Sequence, residues 1–257
     1  MENISVSFIG SGNVATYFAQ QLFQNKVAIQ QVFSRNICHA ETLANSVSAK
    51  LCNAIEYINT DVDFIIISVT DSEISKIIPP LNQHGKAIFL HTTASVGLNV
   101  FNGFKSFGIL YPLQTFTKDI ELTNIDFPLF VEANSTENLN KLFHLAQLIS
   151  QTVIESNYEQ RQSLHLAAVF ANNFVNHLLN ISSNIIENNK LQFNLLQPLL
   201  LETISKLQNI SPSAAQTGPA KRNDLETIAK HKFLLKNYPQ NFSFIYDAIT
   251  KSIIDKS

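Results

Sequence analysis

The sequence predicts an α/β protein in which a doubly wound, mostly parallel sheet is followed by an all-helical C-terminal domain. Three observations predict it. A glycine turn, Gly10-Ser11-Gly12, joins a β-rich run to a helical stretch. Strand-like and helix-like runs then alternate through the first half, as a parallel sheet with helices on both faces requires. Near Tyr158 the strand signals stop, and apolar residues afterwards recur at helical spacing. Two domains are expected, residues 1–157 and 158–257.

Each element has its own signal. Ile4 to Ile9 is the first strand and Asn13 to Asn25 the first helix; Gln30 to Arg35 reads as the second strand and Cys38 to Val47 as the second helix. Ala49 to Cys52 is a short strand, and Ala54 to Asn59 a helical turn. Asp63 to Val69 is a continuous apolar run, the pattern of a strand buried on both faces. It ends in Thr70-Asp71-Ser72-Glu73, where Asp71 or Ser72 is expected to cap the next helix, and Pro79-Pro80 stops that helix. Lys86 to Leu90, Phe107 to Leu110, Phe127 to Glu132 and Val153 to Glu155 are further strands. Glu159 to Asn188 reads as one long helix, with Leu164, Ala168, Ala171, Val175, Leu178 and Ile185 at three- and four-residue steps. Asn194 to Gln208, Ser211 to Ala215, Leu225 to Asn237 and a segment from Phe242 complete the helical half.

Composition removes several classes of function. Only 15% of the 257 residues are charged and the net charge is −2, which leaves no electrostatic footprint for nucleic acid. No apolar run reaches the roughly 20 residues of a membrane span, and Met1-Glu2-Asn3 offers no basic leader, so a cytoplasmic chain is expected. Cys38 and Cys52 lack metal-ligand spacing and read as ordinary buried or half-buried thiols; the seven histidines contain no HExxH, so no metal site is expected.

The glycine turn carries the first chemical signal. In Gly10-Ser11-Gly12-Asn13-Val14-Ala15, Gly10 permits the tight turn, Gly12 lets backbone approach a pyrophosphate, and Ala15 is small where helix crosses sheet. Helix N-terminal N–H groups then face the phosphate. This is a Rossmann-type fingerprint, although such a turn also serves as a plain tight loop. The second strand ends in Ser34-Arg35, with no acid for a ribose hydroxyl. A hydroxyl and a guanidinium suit a 2′-phosphate, which favours NADP(H) as cofactor; the bland reading of Arg35 is a solvated loop cation. Thr70-Asp71 and His91-Thr92 stand at other strand ends, where ligands of open α/β sheets bind.

In the helical half, His165, Val169, Asn172 and Asn176 are spaced four, three and four apart and fall on one stripe at 3.6 residues per turn. That stripe is either a polar seam or a catalytic face, with His165 as proton donor and Asn172 and Asn176 orienting substrate. Tyr111 is an alternative acid. Thr217-Gly218-Pro219 is a turn, followed by Lys221 and Arg222 beside a helix start capped by Asn223 or Asp224; Thr217, Lys221 and Arg222 are candidates for holding a substrate carboxylate, or line a solvated loop.

These residues resemble a bacterial family of unknown function that pairs a Rossmann-like NADP-binding domain with a C-terminal helical domain and is labelled as similar to deazaflavin-dependent NADP oxidoreductases. The resemblance lies in Gly10 to Ala15, His91-Thr92-Thr93-Ala94-Ser95, Tyr111-Pro112-Leu113-Gln114-Thr115-Phe116, His165 to Phe174 and Gln216 to Ala220. More distantly the chain is similar to pyrroline-5-carboxylate reductase and to the 6-phosphogluconate and 3-hydroxyacid dehydrogenases. It departs from the hydroxyacid dehydrogenases, which put a lysine on the long helix as catalytic acid whereas the nearby candidate here is His165, and from the reductase in having Thr217-Gly218-Pro219-Ala220 where that protein has a Ser-Pro-Gly-Gly loop.

The resulting expectation is an NADP-dependent oxidoreductase that moves hydride between the nicotinamide and a small carbonyl, imine or hydroxy compound in an interdomain cleft. A homodimer through the helical domain is expected with it. The alternative is an NADP-binding sensor or scaffold without turnover.

Overall fold

The structure, a computed structural model, describes residues 4–83, 85–118 and 126–255. The chain divides into two compact units, Met1–Val169 and Phe170–Ser257.

The first unit is built on eight strands: β1 (Ser5–Ile9), β2 (Ala28–Phe33), β3 (Lys50–Cys52), β4 (Phe64–Ile67), β5 (Ile88–His91), β6 (Phe107–Pro112), β7 (Leu129–Ala133) and β8 (Val153–Glu155). They form one sheet in the order β3-β2-β1-β4-β5-β6-β7-β8. All neighbours are parallel except β6 and β7. The doubly wound, mostly parallel sheet is therefore as expected. The expected strands are shifted by a residue or two at their ends.

Alternation along the strands explains why the sheet is covered on both faces. Phe64 and Ile66 join one apolar cluster with Phe8, Phe18, Leu22 and Val32, whereas Ile65 and Ile67 join another with Ile9, Phe89 and Phe101. Helices α1 (Asn13–Gln24), α2 (Ile37–Ser46), α3 (Asp71–Ile77) and α4 (Thr136–Gln147) supply the covering layers. Sequence patterning misses α4, although Ser135 caps it by accepting from Asn138 N. Cys52 is buried and Cys38 exposed; the latter lies at the start of α2, on the solvent side rather than in the interior as expected.

The register levels the strand ends. Ile9 pairs with both Phe33 and Ile67, and Ile67 pairs with His91. The residues that follow, Gly10, Ser34, Ser68 and Thr92, form one row at the C-terminal edge. Strand order reverses between β1 and β4, which opens a crevice beside Gly10.

Helix α5 (Tyr158–Ala168) closes the first unit. Asn157 and Gln160 form a capping box at its start. It is followed by a π-helical stretch, Val169–Phe174, and then by α6 (Val175–Asn188). The expected single long helix is thus interrupted. Because i→i+5 turns are wider than α-helical ones, the 3.6-residue spacing behind the His165-Val169-Asn172-Asn176 stripe does not hold through this stretch.

The second unit contains α6 with α7 (Gln197–Lys206), α8 (Pro212–Ala215), α9 (Leu225–Leu235) and α10 (Gln240–Ile254). Asp224 caps α9, accepting from Thr227 N at 3.0 Å. His231 and Tyr246 share a 2.9 Å hydrogen bond, and Lys232 pairs with Asp247, so α9 and α10 are held side by side. Among the described residues the buried apolar side chains of this unit are Ile181, Ala220, Ile228 and Leu235. Leu199, Leu201, Ile204, Phe233 and Phe244 are exposed. No helix of the described residues is long and apolar enough to cross a membrane.

Candidate active site

A pocket of about 480 Å³ opens in the first unit where the sheet order reverses. Its lining gathers Gly10, Ser11, Gly12, Asn13, Val14, Ser34, Arg35, Thr70, Asp71, Thr92, Tyr111 and His165, residues scattered over most of that unit's sequence.

The glycine turn forms one wall. Gly10 has φ +114°, and a Cβ there would lie 2.0 Å from the Ser68 carbonyl oxygen, so this turn admits glycine only. Gly12 differs. A Cβ at Gly12 would meet nothing within 4 Å, so its bare backbone faces open pocket. Gly12 is also the N-cap of α1 and has no side-chain cap, which leaves the first N–H groups of the helix without a side-chain acceptor. Ala15 is fully buried where α1 crosses the sheet. Asn13, expected beside the cofactor, turns its amide to the Phe116 carbonyl at 2.6 Å and so ties the turn to the loop after β6. The ring of Phe116 packs between Tyr17 and Phe127.

At the end of β2, Ser34 and Arg35 line the pocket as expected. The Arg35 guanidinium donates to Glu73 at 2.7 Å. Beyond β4, Thr70 is the N-cap of α3 but makes no cap hydrogen bond, and Asp71 is the first helical residue, so neither Asp71 nor Ser72 caps as expected. The Asp71 carboxylate instead accepts a hydrogen bond from Ser95 Oγ.

His91 requires a correction. It was expected to contact cofactor, but β5 runs one residue further than predicted, so His91 is still in the ladder opposite Ile67 and Ile109. Alternation sends its ring to the Phe89 face, where it is fully buried and stacks on Phe101. It stands outside the pocket lining, and the lining begins at Thr92, Thr93 and Ala94. Burial, and then the charge of Arg161, lowers its pKa to about 3, so the ring is neutral throughout the physiological range. Its Nδ1 accepts from Thr93 N at 3.3 Å, and this bond ties His91 to a residue of the pocket lining.

Tyr111 and His165 meet at the opposite end. Tyr111 Oη and His165 Nδ1 share a 3.2 Å hydrogen bond, with the rings edge-on. Tyr111 is 8% exposed on β6, packed with Ala94, Ile109, Phe130 and Leu164, whereas His165 is solvent-exposed on α5. Burial, and then the negative charge of Asp71, raises the Tyr111 pKa, which keeps the phenol protonated.

The placement of His165 depends on Arg161, which sequence reasoning missed. Arg161 is fully buried, pairs with Glu132 on β7 and donates to the Ser156 carbonyl at 3.3 Å. One turn earlier, Tyr158 Oη donates to the Ser95 carbonyl at 3.2 Å. These contacts fix the face of α5, and His165, four residues after Arg161, follows on it. The signal available in the sequence was a lone cation at i−4 from a candidate histidine.

Asn172, Asn176, Thr217, Lys221 and Arg222 belong to the second unit, where all five are exposed; none is in the lining of this pocket. Among the described residues no group of three or more His, Cys, Asp or Glu could hold a metal ion.

Residues 5–95 match the family model described as NADP oxidoreductase coenzyme F420-dependent, and residues 127–253 match a domain of unknown function, DUF2520. A solved structure from Bacteroides fragilis, described as a candidate NADP oxidoreductase, is 34% identical; the match covers 99% of each chain with a TM-score of 0.91. The chain belongs to this NADP oxidoreductase family. The Bacteroides fragilis structure aligns through both the matched N-terminal domain and the helix-rich C-terminal one. Two more distant likenesses are of fold. The 1-pyrroline-5-carboxylate reductase of Streptococcus pyogenes is 14% identical, with 98% and 97% of the chains covered and a TM-score of 0.64. An imine reductase of Myxococcus stipitatus, solved with NADP+, is 12% identical, with 98% and 95% covered and a TM-score of 0.69. No curated protein matches the chain.

Proposed function

We propose that this NADP oxidoreductase family member is an NADPH-dependent reductase of small imines or carbonyls, in which Tyr111 passes a proton to the substrate and His165 restores it. The observation that carries the reading is the Tyr111–His165 hydrogen bond in the same pocket as the uncapped, Cβ-free start of α1.

The residues present fit the cofactor. The open cradle over Gly12 and the free N–H groups of α1 suit a pyrophosphate. Ser34 and Arg35 suit the 2′-phosphate, and Thr70, Asp71 and Thr92 share the same lining with Tyr111. NADPH, when bound, supplies the hydride. The side chains supply the rest. Tyr111 is the buried member of the pair and touches substrate; His165 is the exposed member and exchanges protons with water. With its pKa raised, Tyr111 is a poor source of a proton on its own, so transfer from Oη is coupled to refilling through Nδ1 of His165. The Asp71 charge beside Tyr111 favours a substrate atom that gains positive charge, which ranks an imine ahead of a carbonyl.

The second unit, with its many exposed apolar side chains, self-associates in this reading, as a homodimer.

The test is NADPH oxidation against a panel of imines, ketones and aldehydes. Tyr111→Phe is expected to lower kcat about 10² to 10⁴-fold with NADPH affinity unchanged, and His165→Ala to lower it less. Turnover by Tyr111→Phe at near the parental rate removes the tyrosine from the mechanism. No turnover with any compound supports the sensor reading instead.

A further inference from the structure

Glu73 holds two cations, one of them the pocket-lining Arg35. Its Oε2 accepts from Arg35 Nη1 at 2.7 Å and its Oε1 from Lys76 Nζ at 2.9 Å. The carboxylate is the fixed member of the trio, with its side chain 15% exposed against 74% for Arg35 and 69% for Lys76. Arg35 lines the pocket; Glu73 and Lys76 do not. Because the two cations sit on the two oxygens of one carboxylate, they lie side by side, and the trio carries a net charge of +1. The sequence assigns Ser34 and Arg35 to this end, with Arg35 its one cation and no acid beside it.

We propose that Glu73 and Lys76 set the cofactor preference: Lys76 is the second cation for a 2′-phosphate, and Glu73 is a built-in counter-ion that competes with that phosphate for both cations. The inference rests on the reading of the pocket as an NADP site. A phosphate monoester carries between one and two negative charges near neutral pH. It therefore gains from Arg35 and Lys76 and is repelled by Glu73. The 2′-hydroxyl of NADH carries no charge, and Glu73 and Lys76 stand outside the pocket lining, so neither is placed to hydrogen-bond it. All of these charges meet solvent, so each is screened and worth a modest factor rather than orders of magnitude. Two like charges a few ångströms apart in water correspond to about a three- to tenfold change in affinity. The device moderates the preference for NADPH without altering the pyrophosphate cradle.

The experiment measures dissociation constants for NADPH and NADH by titration calorimetry on the full chain, for the parent, Arg35→Ala, Glu73→Gln and Lys76→Gln, at low and moderate salt. Thermal unfolding of each variant checks the fold, to which exposed ion pairs contribute little. Glu73→Gln is expected to tighten NADPH about three- to tenfold and Lys76→Gln to weaken it by a similar factor, both leaving NADH unchanged. The advantage of Glu73→Gln should shrink as salt rises. Weaker NADPH binding by Glu73→Gln would make the carboxylate a positioner of Arg35 and overturn the competition. An NADPH-to-NADH ratio unmoved by Glu73→Gln or Lys76→Gln, while Arg35→Ala collapses it, overturns this inference alone. If Arg35→Ala also leaves the ratio unchanged, or the parent binds neither cofactor, the NADP reading fails together with it.

Discussion

Replacing His91 by leucine should flatten the acid limb of the stability profile. In the folded chain the ring is fully buried, and its pKa falls from 6.5 to about 3 through burial first and the Arg161 charge second. Below pH 6.5 the unfolded chain takes up a proton at this position that the folded chain refuses. The stabilisation from a neutral His91 is thus complete above pH 6.5 and is lost progressively as pH falls towards about 3. Each pH unit within that window costs about 1.4 kcal/mol. Between pH 7 and pH 5 the loss is about 2 kcal/mol from this one residue. Urea unfolding of the parent and His91→Leu at both pH values isolates it, because every other titrating group is common to the two proteins. The variant is less stable at pH 7, since Thr93 N loses its acceptor, but its decline to pH 5 should be shallower by about 2 kcal/mol. Parallel declines would show that His91 titrates normally and is not sealed in the core.

Two further outcomes follow from packing and charge. Arg161→Met removes the buried partner of Glu132 and should lower stability by about 3 kcal/mol, with a lower kcat because His165 loses its anchor; unchanged unfolding and kinetics would remove Arg161 as its positioner. If the second unit self-associates as proposed, Leu201→Glu combined with Phe233→Glu, which places charge on two side chains that are 72% and 67% exposed, should shift sedimentation towards monomer; an unaltered distribution would contradict self-association through these side chains.

Much of the fold was legible because its signals are local. The apolar run at Asp63 to Val69 announces a strand covered on both faces, and Gly10 announces a turn that only glycine tolerates. The edge that carries the site was legible for the same reason: the residues after β1, β2 and β4 are polar, and parallel pairing levels them. What was not legible depends on long-range contacts. Whether β5 ends at Leu90 or His91 is settled by pairing with Ile67 and Ile109, and that single residue moves a histidine from the pocket to the core. Arg161 reads as a surface cation until Glu132, 29 residues away, comes beneath it. Glu73 likewise reads as an ordinary first-turn acid of α3 until β2 and β4 bring Arg35 to it. The π-helical stretch at Val169–Phe174 breaks a periodicity that can be drawn from sequence only by assuming it.

The central claim is that the backbone at Gly12 lies against a dinucleotide pyrophosphate, and Gly12→Val tests it most directly. A side chain there meets nothing within 4 Å of its Cβ, and the residue's φ of −76° suits any L-amino acid, so the variant should fold as the parent does. The added methyl groups would occupy the space the phosphate needs. Calorimetric titration is therefore expected to show NADPH affinity reduced by at least about tenfold, with an unchanged unfolding midpoint. A Gly12→Val protein that binds NADPH as tightly as the parent would contradict the account.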